Sequence, residues 1–329
     1  MRPFEYTSAP TLDAALDILS LTNDGAIRPL AGGTDLLTLM KADIVTPDHL
    51  VDIKRASGLT GGIDETPDGL RIGALTSLTE LETDPLIRER YTALSEAAAI
   101  AATPQLRNMA TIGGNLLQRP RCWYYRNPLF HCWLKGGDTC HARDGQNRQH
   151  ALFGDSACVA AHPSDPATAL LALDASVTIR GASGERQVAI ADFFTLPTDD
   201  HRVETALQPG ELIVSINLPA TSLRSTFFKA MDRKVWAFAL VSVAASVAIA
   251  DGKITDARVI LGGVAPIPWR VEAAEQALIG STLDAATRDR AAEAALADAQ
   301  PLEHNGYKAP LAKSLIRRTL ESLASVPTA

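Results

Sequence analysis

An alternation of strand and helix through the first 55 residues restricts the fold of this chain more than any other feature. Residues 4–6 read as a strand, and Thr11 caps a helix whose Leu12, Ala15, Leu16 and Leu19 recur at helical spacing. Asn23-Asp24-Gly25 ends that helix. An apolar strand at 27–30 follows, then Ala31-Gly32-Gly33-Thr34-Asp35, a helix bearing Leu36, Leu37, Leu39 and Met40, and a third strand at 50–53. A β-α-β-α-β order of this kind specifies a small α/β layer.

A second α/β segment begins with a strand at 70–72 and a helix over 77–81. An Ala-rich buried helix is expected over 94–102, leading into Thr103-Pro104-Gln105-Leu106-Arg107-Asn108 and then Ala110-Thr111-Ile112-Gly113-Gly114-Asn115-Leu116. Residues 118–150 break all periodicity. Regular structure resumes with a helix at 169–173 and strands at 176–180 and 212–217. After Pro219 the pattern changes to a hairpin, 239–249 and 255–261 around Asp251-Gly252-Lys253, followed by helices at 271–278 and 285–299. Strands followed by helices define a separate α+β domain. The expected organisation is residues 1–222 as one domain, in subdomains 1–55 and 56–222, and residues 223–329 as another.

At 329 residues the chain has the bulk of two compact domains, and 46% hydrophobic with 21% charged residues excludes disordered and fibrous classes. A net charge of −7 argues against a nucleic-acid partner. The longest apolar run, 238–250, holds two serines and stops at Asp251-Gly252, so no membrane insertion is expected. The first residues have no apolar signal core, which places the chain in the cytoplasm with no export address of its own.

Two segments have the form of phosphate cradles. Ala31-Gly32-Gly33-Thr34-Asp35 lies between a strand and a helix, where backbone N–H groups and the positive helix end face one point. A side chain there would hold a pyrophosphate away from those amides. Thr111-Ile112-Gly113-Gly114-Asn115 offers a second such loop. Neither is a Walker loop or a G-x-G-x-x-G fingerprint, and taken alone each reads equally well as a simple turn.

The run from Arg28 through Pro29, Leu30 and the first glycine loop to Leu37, together with the 103–108 and 110–116 segments, resembles the FAD-binding medium subunit of the molybdenum hydroxylases. That family includes xanthine dehydrogenase, carbon monoxide dehydrogenase and aldehyde oxidoreductases. The resemblance continues through His162-Pro163-Ser164-Asp165, the 211–216 and 239–242 segments, Leu261-Gly262-Gly263-Val264-Ala265-Pro266 and Trp269-Arg270, and so covers essentially the whole chain. It implies an α+β protein: a vanillyl-alcohol-oxidase-type FAD-binding domain of two α/β subdomains, plus a C-terminal α+β domain of the CO dehydrogenase flavoprotein type. By position it implies that Arg28, Pro29, Leu30, Ala31, Gly32, Gly33, Thr34, Asp35 and Leu36 hold the FAD pyrophosphate. Ala101, Ala102, Thr111, Gly114, Asn115, Leu117 and Ile213 line the rest of the groove. Ser164 and Asp165 match a Ser-Asp that hydrogen-bonds the cofactor, and Lys229 a lysine near the flavin ring. The residues themselves leave Asp165 open as a helix cap, Lys229 as a solvated charge and His162 as a structural histidine.

All four cysteines, Cys122, Cys132, Cys140 and Cys158, fall in one stretch with the spacing C-x9-C-x7-C-x17-C. Structural zinc sites bring cysteines in close pairs, so this spacing disfavours zinc and suits an iron–sulfur cluster. Reduced thiols in a loop are the alternative, and His131 and His141 stand as competing ligands. Six Lys/Arg against two Asp over 118–150, with Trp123, Tyr124, Tyr125, Phe130 and Trp133 among them, suit either single-stranded nucleic acid or the shell of a negatively charged cluster. The acidic chain favours the second. The insert over 118–158 is similar to the [4Fe-4S] loop of periplasmic-type aldehyde oxidoreductases, particularly in Arg121-Cys122-Trp123-Tyr124-Tyr125-Arg126.

The resemblance implies an electron-transferring subunit that works with a large molybdopterin subunit and a small [2Fe-2S] subunit. The substrate, an aldehyde, would be oxidised on the molybdenum chain, and a ferredoxin, quinone or oxygen would be the external acceptor. Catalytic residues acting on substrate are not expected here. A partner carrying a twin-arginine signal would place the folded complex in the periplasm instead. The rival readings are a self-contained flavin oxidase or reductase of the same fold and a zinc-dependent binding module.

Overall fold

The computed structural model describes residues 1–22 and 25–324, which form three sheets. In the first, β1 (Glu5–Ser8), α1 (Leu12–Leu19), β2 (Ile27–Leu30), α2 (Leu36–Lys41) and β3 (His49–Asp52) follow the expected alternation. Its strand order is β1-β3-β2, with both pairings parallel. The Thr11 hydroxyl accepts from the Ala14 amide at 3.1 Å, and Leu12, Ala15, Leu16 and Leu19 all turn inward. The Asn23-Asp24 part of the expected helix stop lies outside the described residues.

The second sheet is antiparallel throughout, in the order β4-β5-β8-β6-β7. Strands β4 (Ile63–Thr66) and β5 (Gly69–Gly73) lead into α3 (Leu78–Thr83), α4 (Pro85–Arg90), α5 (Thr92–Ala99), α6 (Pro104–Arg107) and α7 (Ile112–Leu116). After the cysteine-bearing insert come α8 (Asp165–Ala172), β6 (Ser176–Gly181), β7 (Gly184–Ala189), α9 (Ile190–Phe193) and β8 (Leu212–Pro219). Ser77 and Glu80 close a reciprocal capping box on α3. Helix α5 stops short of the expected 94–102 span: Ile100 caps it, and Ala102 sits at φ +53°. The reason lies downstream. Pro104 steers Thr103 out of the helical region, and the Thr103 hydroxyl caps α6 through the Leu106 amide at 3.3 Å.

The third sheet, β12-β11-β10-β9, is built from β9 (Arg224–Ala230), β10 (Val241–Ala250), β11 (Lys253–Gly262) and β12 (Trp269–Arg270). Asp251 and Gly252, at φ +50° and +74°, form the two-residue turn of the β10–β11 hairpin. Helices α10 (Glu272–Leu278), α11 (Ala285–Ala294) and α12 (Lys308–Ala324) follow. Helix α11 ends at Ala294, earlier than its Ala-rich sequence implies; i→i−3 turns follow, and the Gln300 amide then donates to the Leu152 carbonyl of the insert at 2.8 Å. Helix α12 is absent from the expectations above, although Leu315, Ile316, Leu320 and Leu323 stand at helical spacing and bury. Two large apolar cores result, one under the first two sheets and one under the third. Two smaller ones centre on the insert, one of them including Leu39 of α2.

Lys308, at the first turn of α12, is fully buried, its ammonium donating to the carbonyls of His150 at 2.9 Å and Gly263 at 2.8 Å. Burial lowers its pKa from 10.5 to about 7. The unfolded chain therefore holds a proton that the folded chain has released between those values, and stability rises with pH across that window. Below about 7 the penalty is constant. Denaturant unfolding at pH 7 and pH 9.5 is expected to show a larger gain for the native protein than for Lys308→Met. Equal gains in the two proteins would contradict this.

Candidate functional site

The two glycine loops meet. A Cβ on Gly32 would lie 1.9 Å from the Met109 carbonyl oxygen, so the first loop rests directly on the backbone that leads into the second. Gly33, at φ +70°, turns the chain into α2. Among the described residues no hydrogen bond engages the amides of Gly32, Gly33, Thr34 or Asp35, which leaves those donors for an anion. In the second loop the Thr111 hydroxyl accepts from the Gly114 amide at 3.3 Å, Gly113 packs on Ala74, and Gly114 is exposed. Donors without acceptors and a close backbone approach are what a bound diphosphate requires.

A polar chain runs from the second loop to the third sheet. Ser164 donates its hydroxyl to Asn115 Oδ1 at 2.5 Å and caps α8 by accepting from the Ala167 amide at 3.1 Å. The helix cap is thus Ser164, and Asp165 is the first residue inside. Asp165 pairs with Lys229 of β9 at 2.7 Å, with side chains only 6% and 1% exposed. Lys229 also donates to the Ile100 carbonyl at 3.3 Å, next to Ala101 and the left-handed Ala102. Lys229 is therefore no solvated charge. Burial pushes the Asp165 carboxyl up, against the pull of the Lys229 ammonium. Lys229→Met is expected to strand a buried carboxylate at a cost of about 3–5 kcal/mol, most of it recovered by adding Asp165→Asn. Thermal or denaturant unfolding of the single and double variants checks this.

His162 is buried, its Nδ1 accepting from the Ser164 amide at 3.3 Å and its ring set edge-on against Phe194. Burial lowers its pKa to about 3, so it stays neutral as a structural side chain.

The insert folds around its cysteines. Cys122, Cys132, Cys140 and Cys158 line one cavity, of about 290 Å³ including its open side, with Tyr125, Trp133, Leu134 and Ala160. Backbone amides converge on the sulfurs: those of Tyr124 and Tyr125 on Cys122, those of Ala142 and Val159 on Cys140, and that of Ala160 on Cys158. Burial raises the Cys122 thiol to about 11. A hydrogen bond from Cys158 lowers Cys140 to about 6, and the same bond raises Cys158. Among the described residues no three Cys, His, Asp or Glu side chains close tightly enough to hold one metal ion. Single-ion zinc geometry is therefore not what this donor set offers; four sulfurs spread around a shared space fit a polynuclear centre. Of the two competing histidines, His131 is no part of the cavity lining, whereas His141 does line it, with its ring packed against Tyr124 and Phe130.

Asp35 ties the insert to the first loop. Its Oδ1 meets Arg121 at 2.6 Å and Arg126 at 2.7 Å, and its Oδ2 accepts from the Arg119 amide at 2.9 Å. Arg119 in turn pairs with the buried Glu204 at 2.6 Å, and Arg202 lies over the Trp133 ring. The basic residues 119–126 are thus consumed by internal ion pairs.

The family model for the FAD binding domain in molybdopterin dehydrogenase matches residues 2–221. This chain belongs to that family. A second model, the CO dehydrogenase flavoprotein C-terminal domain, matches residues 226–323. Among curated relatives, the chain is 43% identical to the aldehyde oxidoreductase FAD-binding subunit PaoB of Escherichia coli strain K12, over 98% of each chain. It is 28% identical to the carbon monoxide dehydrogenase medium chain of Hydrogenophaga pseudoflava, covering 97% of this chain and 96% of that one. The solved structure of carbon monoxide dehydrogenase from Hydrogenophaga pseudoflava superposes with a TM-score of 0.77 at 28% identity, covering 97% and 96%. The protein is an FAD-binding medium subunit of the molybdenum hydroxylases, an oxidoreductase subunit with the expected α+β architecture.

Of the residues that the resemblance implied for this medium subunit, the structure draws Gly32 to Asp35, Thr111, Gly114, Asn115, Ser164, Asp165, Lys229 and the Ala101-Ala102 turn into one connected region. Pro29 and Leu30 lie in β2, Ala31 and Leu36 flank the loop, and Leu117 caps α7. Arg28 folds back to donate to the Gly25 carbonyl at 3.2 Å. Ile213 is buried in the core of the second sheet, opposite Ile179, apart from the polar chain. Sequence reading missed Glu204, Arg202 and His150. Glu204 and Arg202 sit on an aperiodic loop far along the chain, where nothing local marks them.

Proposed function

We propose that this medium subunit transfers electrons within a heterotrimeric aldehyde-oxidising molybdenum hydroxylase and carries a [4Fe-4S] cluster on Cys122, Cys132, Cys140 and Cys158. The observation that carries the reading is the convergence of four widely spaced thiols on one cavity, in a chain whose 43%-identical relative is the FAD-binding subunit of an aldehyde oxidoreductase. In this proposal residues 1–222 are the FAD-binding domain and residues 223–329 the C-terminal domain. The partners are a large molybdopterin subunit and a small [2Fe-2S] subunit, with a ferredoxin, quinone or oxygen as external acceptor.

FAD supplies the capacity to take electrons singly and release them in pairs, and an iron–sulfur cluster adds a one-electron station. The chain's own residues do the rest. Free amides of the 32–35 loop meet the diphosphate, with Thr111, Gly114 and Asn115 opposite. The Asp165–Lys229 pair and the Ser164–Asn115 bond hold the groove at a fixed width, since each joins elements of different sheets or loops. The Arg119, Arg121 and Arg126 bonds to Asp35 keep the cysteine cavity at a fixed distance from the first glycine loop. Tyr125, Trp133 and Leu134 exclude water from the sulfurs.

The test is FAD, iron, acid-labile sulfide and zinc per chain after anaerobic purification. About one FAD with about four iron and four sulfide supports both sites. Zinc, or no metal, beside FAD sinks the cluster and leaves the flavin subunit. No helix among the described residues is long and apolar enough to cross a membrane. The proposal keeps the cytoplasm as compartment, with export on a partner's twin-arginine signal as the alternative; cell fractionation separates the two.

A further inference from the structure

One side chain beside the cysteine cavity is used by nothing above. His150 is 2% exposed, and its Nε2 lies 3.2 Å from Cys122 Sγ. Its Nδ1 is buried and has no hydrogen-bond partner. A neutral imidazole carries one N–H, and the position of that proton can be assigned. A proton on Nδ1 would be a buried donor with nothing to meet, the costlier kind of orphan. Once Cys122 sulfur is bound to iron it has no S–H to give and can only accept. Both conditions put the proton on Nε2, facing the sulfur.

The ring is also held from behind. The His150 amide donates to the Asn147 carbonyl at 2.9 Å, and its own carbonyl accepts from Asn305 Nδ2 at 3.2 Å and Lys308 Nζ at 2.9 Å. Asn305 donates as well to the Ala151 carbonyl at 2.9 Å, and Asn147 Oδ1 accepts from the His304 amide at 2.9 Å. The turn leading into α12 thus grips residues 147–151 and fixes where the imidazole points. The other neighbours of this pocket, Arg121, Trp123, Gln149, His162 and Phe238, offer no competing acceptor to Nε2 at hydrogen-bond distance among the described residues.

We propose that His150 is a positioning residue for the iron–sulfur centre: its Nε2–H donates to the Cys122 sulfur and raises the centre's reduction potential, with the start of α12 holding the ring in place. The inference rests on the cluster reading above. A hydrogen bond to a ligating sulfur draws negative charge off it, which favours the reduced, more negative state. The C-terminal domain thereby acts on a centre built entirely from the other domain's insert.

The experiment uses the whole subunit, reconstituted anaerobically, with iron content and an EPR-monitored redox titration read in parallel. Native protein without iron would remove the cluster reading and this inference together. With iron present, His150→Phe is expected to keep its iron and titrate at a lower midpoint potential. His150→Gln, which keeps an N–H at the Nε2 position, is expected to return toward the native value. An unmoved midpoint in His150→Phe, or equal shifts in the two variants, overturns the role of His150 while leaving the cluster in place. A measurement on native protein guards against variants that fail to fold. With 15N-histidine incorporated, the reduced centre is expected to show a weakly coupled histidine nitrogen and an exchangeable proton by pulsed EPR. Their absence would overturn the hydrogen bond.

Discussion

Gly32→Ala is expected to empty this subunit of flavin. The added Cβ would meet the Met109 carbonyl oxygen at 1.9 Å and its carbon at 2.8 Å. Both are backbone atoms, so no rotamer change relieves the contact, and the two glycine loops must separate. Overpacking of this kind costs about 1–3 kcal/mol in stability. The effect on cofactor is larger, because the free amides of the 32–35 loop have to address the diphosphate together, whereas those of residues 112–115 are already taken, and a displacement of the first loop removes several hydrogen bonds at once. FAD per chain is expected to fall at least about tenfold, the equivalent of about 1.4 kcal/mol in affinity or more. Gly280→Ala is the control. Gly280 has a positive φ of +79° but open space around its Cβ position, and it lies in the C-terminal part of the chain. It is expected to lose some stability and keep its flavin. Full flavin in folded Gly32→Ala would show that the loop contact does not shape the site.

The second large effect belongs to the cysteines. Cys132→Ala and Cys158→Ala each remove one of the two buried thiols that also belong to the insert's small core. Iron and acid-labile sulfide are expected to fall at least about tenfold in each, since a cluster held by cysteine alone loses a quarter of its ligands. Flavin is expected to stay near the native level. The glycine loops sit on α2 and α7, outside the insert; although Cys132 and Cys158 share a small apolar cluster with Leu39 of α2, the three arginine bonds to Asp35 that tie the insert to the first loop are left in place by either substitution. Iron retained in both variants would remove these sulfurs from the ligand set. Simultaneous loss of flavin would show instead that the insert and the loops fold as one unit.

Local chemistry carried much of this protein openly. Thr11, Ser77 and Thr103 are caps, the apolar residues of α1 stand at helical spacing, and Asp251-Gly252 demands a hairpin turn. Each depends on residues within a few positions, which is why each could be read in order along the chain. The glycine loops and the four-cysteine stretch were legible for the same reason, and the loops together with the short motifs from His162 to Arg270 carried the family. Where sequence reading went astray, a helix ended sooner than its apolar run. The Ala-rich run of α5 was cut short by the Thr103-Pro104 start of the next helix, and that of α11 gave way to turns after Ala294.

Only the tertiary structure decided how the sites are joined. Asp35 stands in a glycine loop but binds three arginines of the insert, and Lys229, a strand residue with no local partner, becomes half of a buried pair with Asp165. His150 ends an aperiodic stretch, and its partners Asn305 and Lys308 lie more than 150 residues further on. No periodicity or spacing rule spans such separations. What the sequence by itself determined is the set of local elements and the types of donor available, because capping, turn formation and thiol or amide chemistry are short-range. What the fold decided is which donors face each other, because a buried charge or N–H finds its partner wherever packing brings one, and desolvation makes that pairing obligatory.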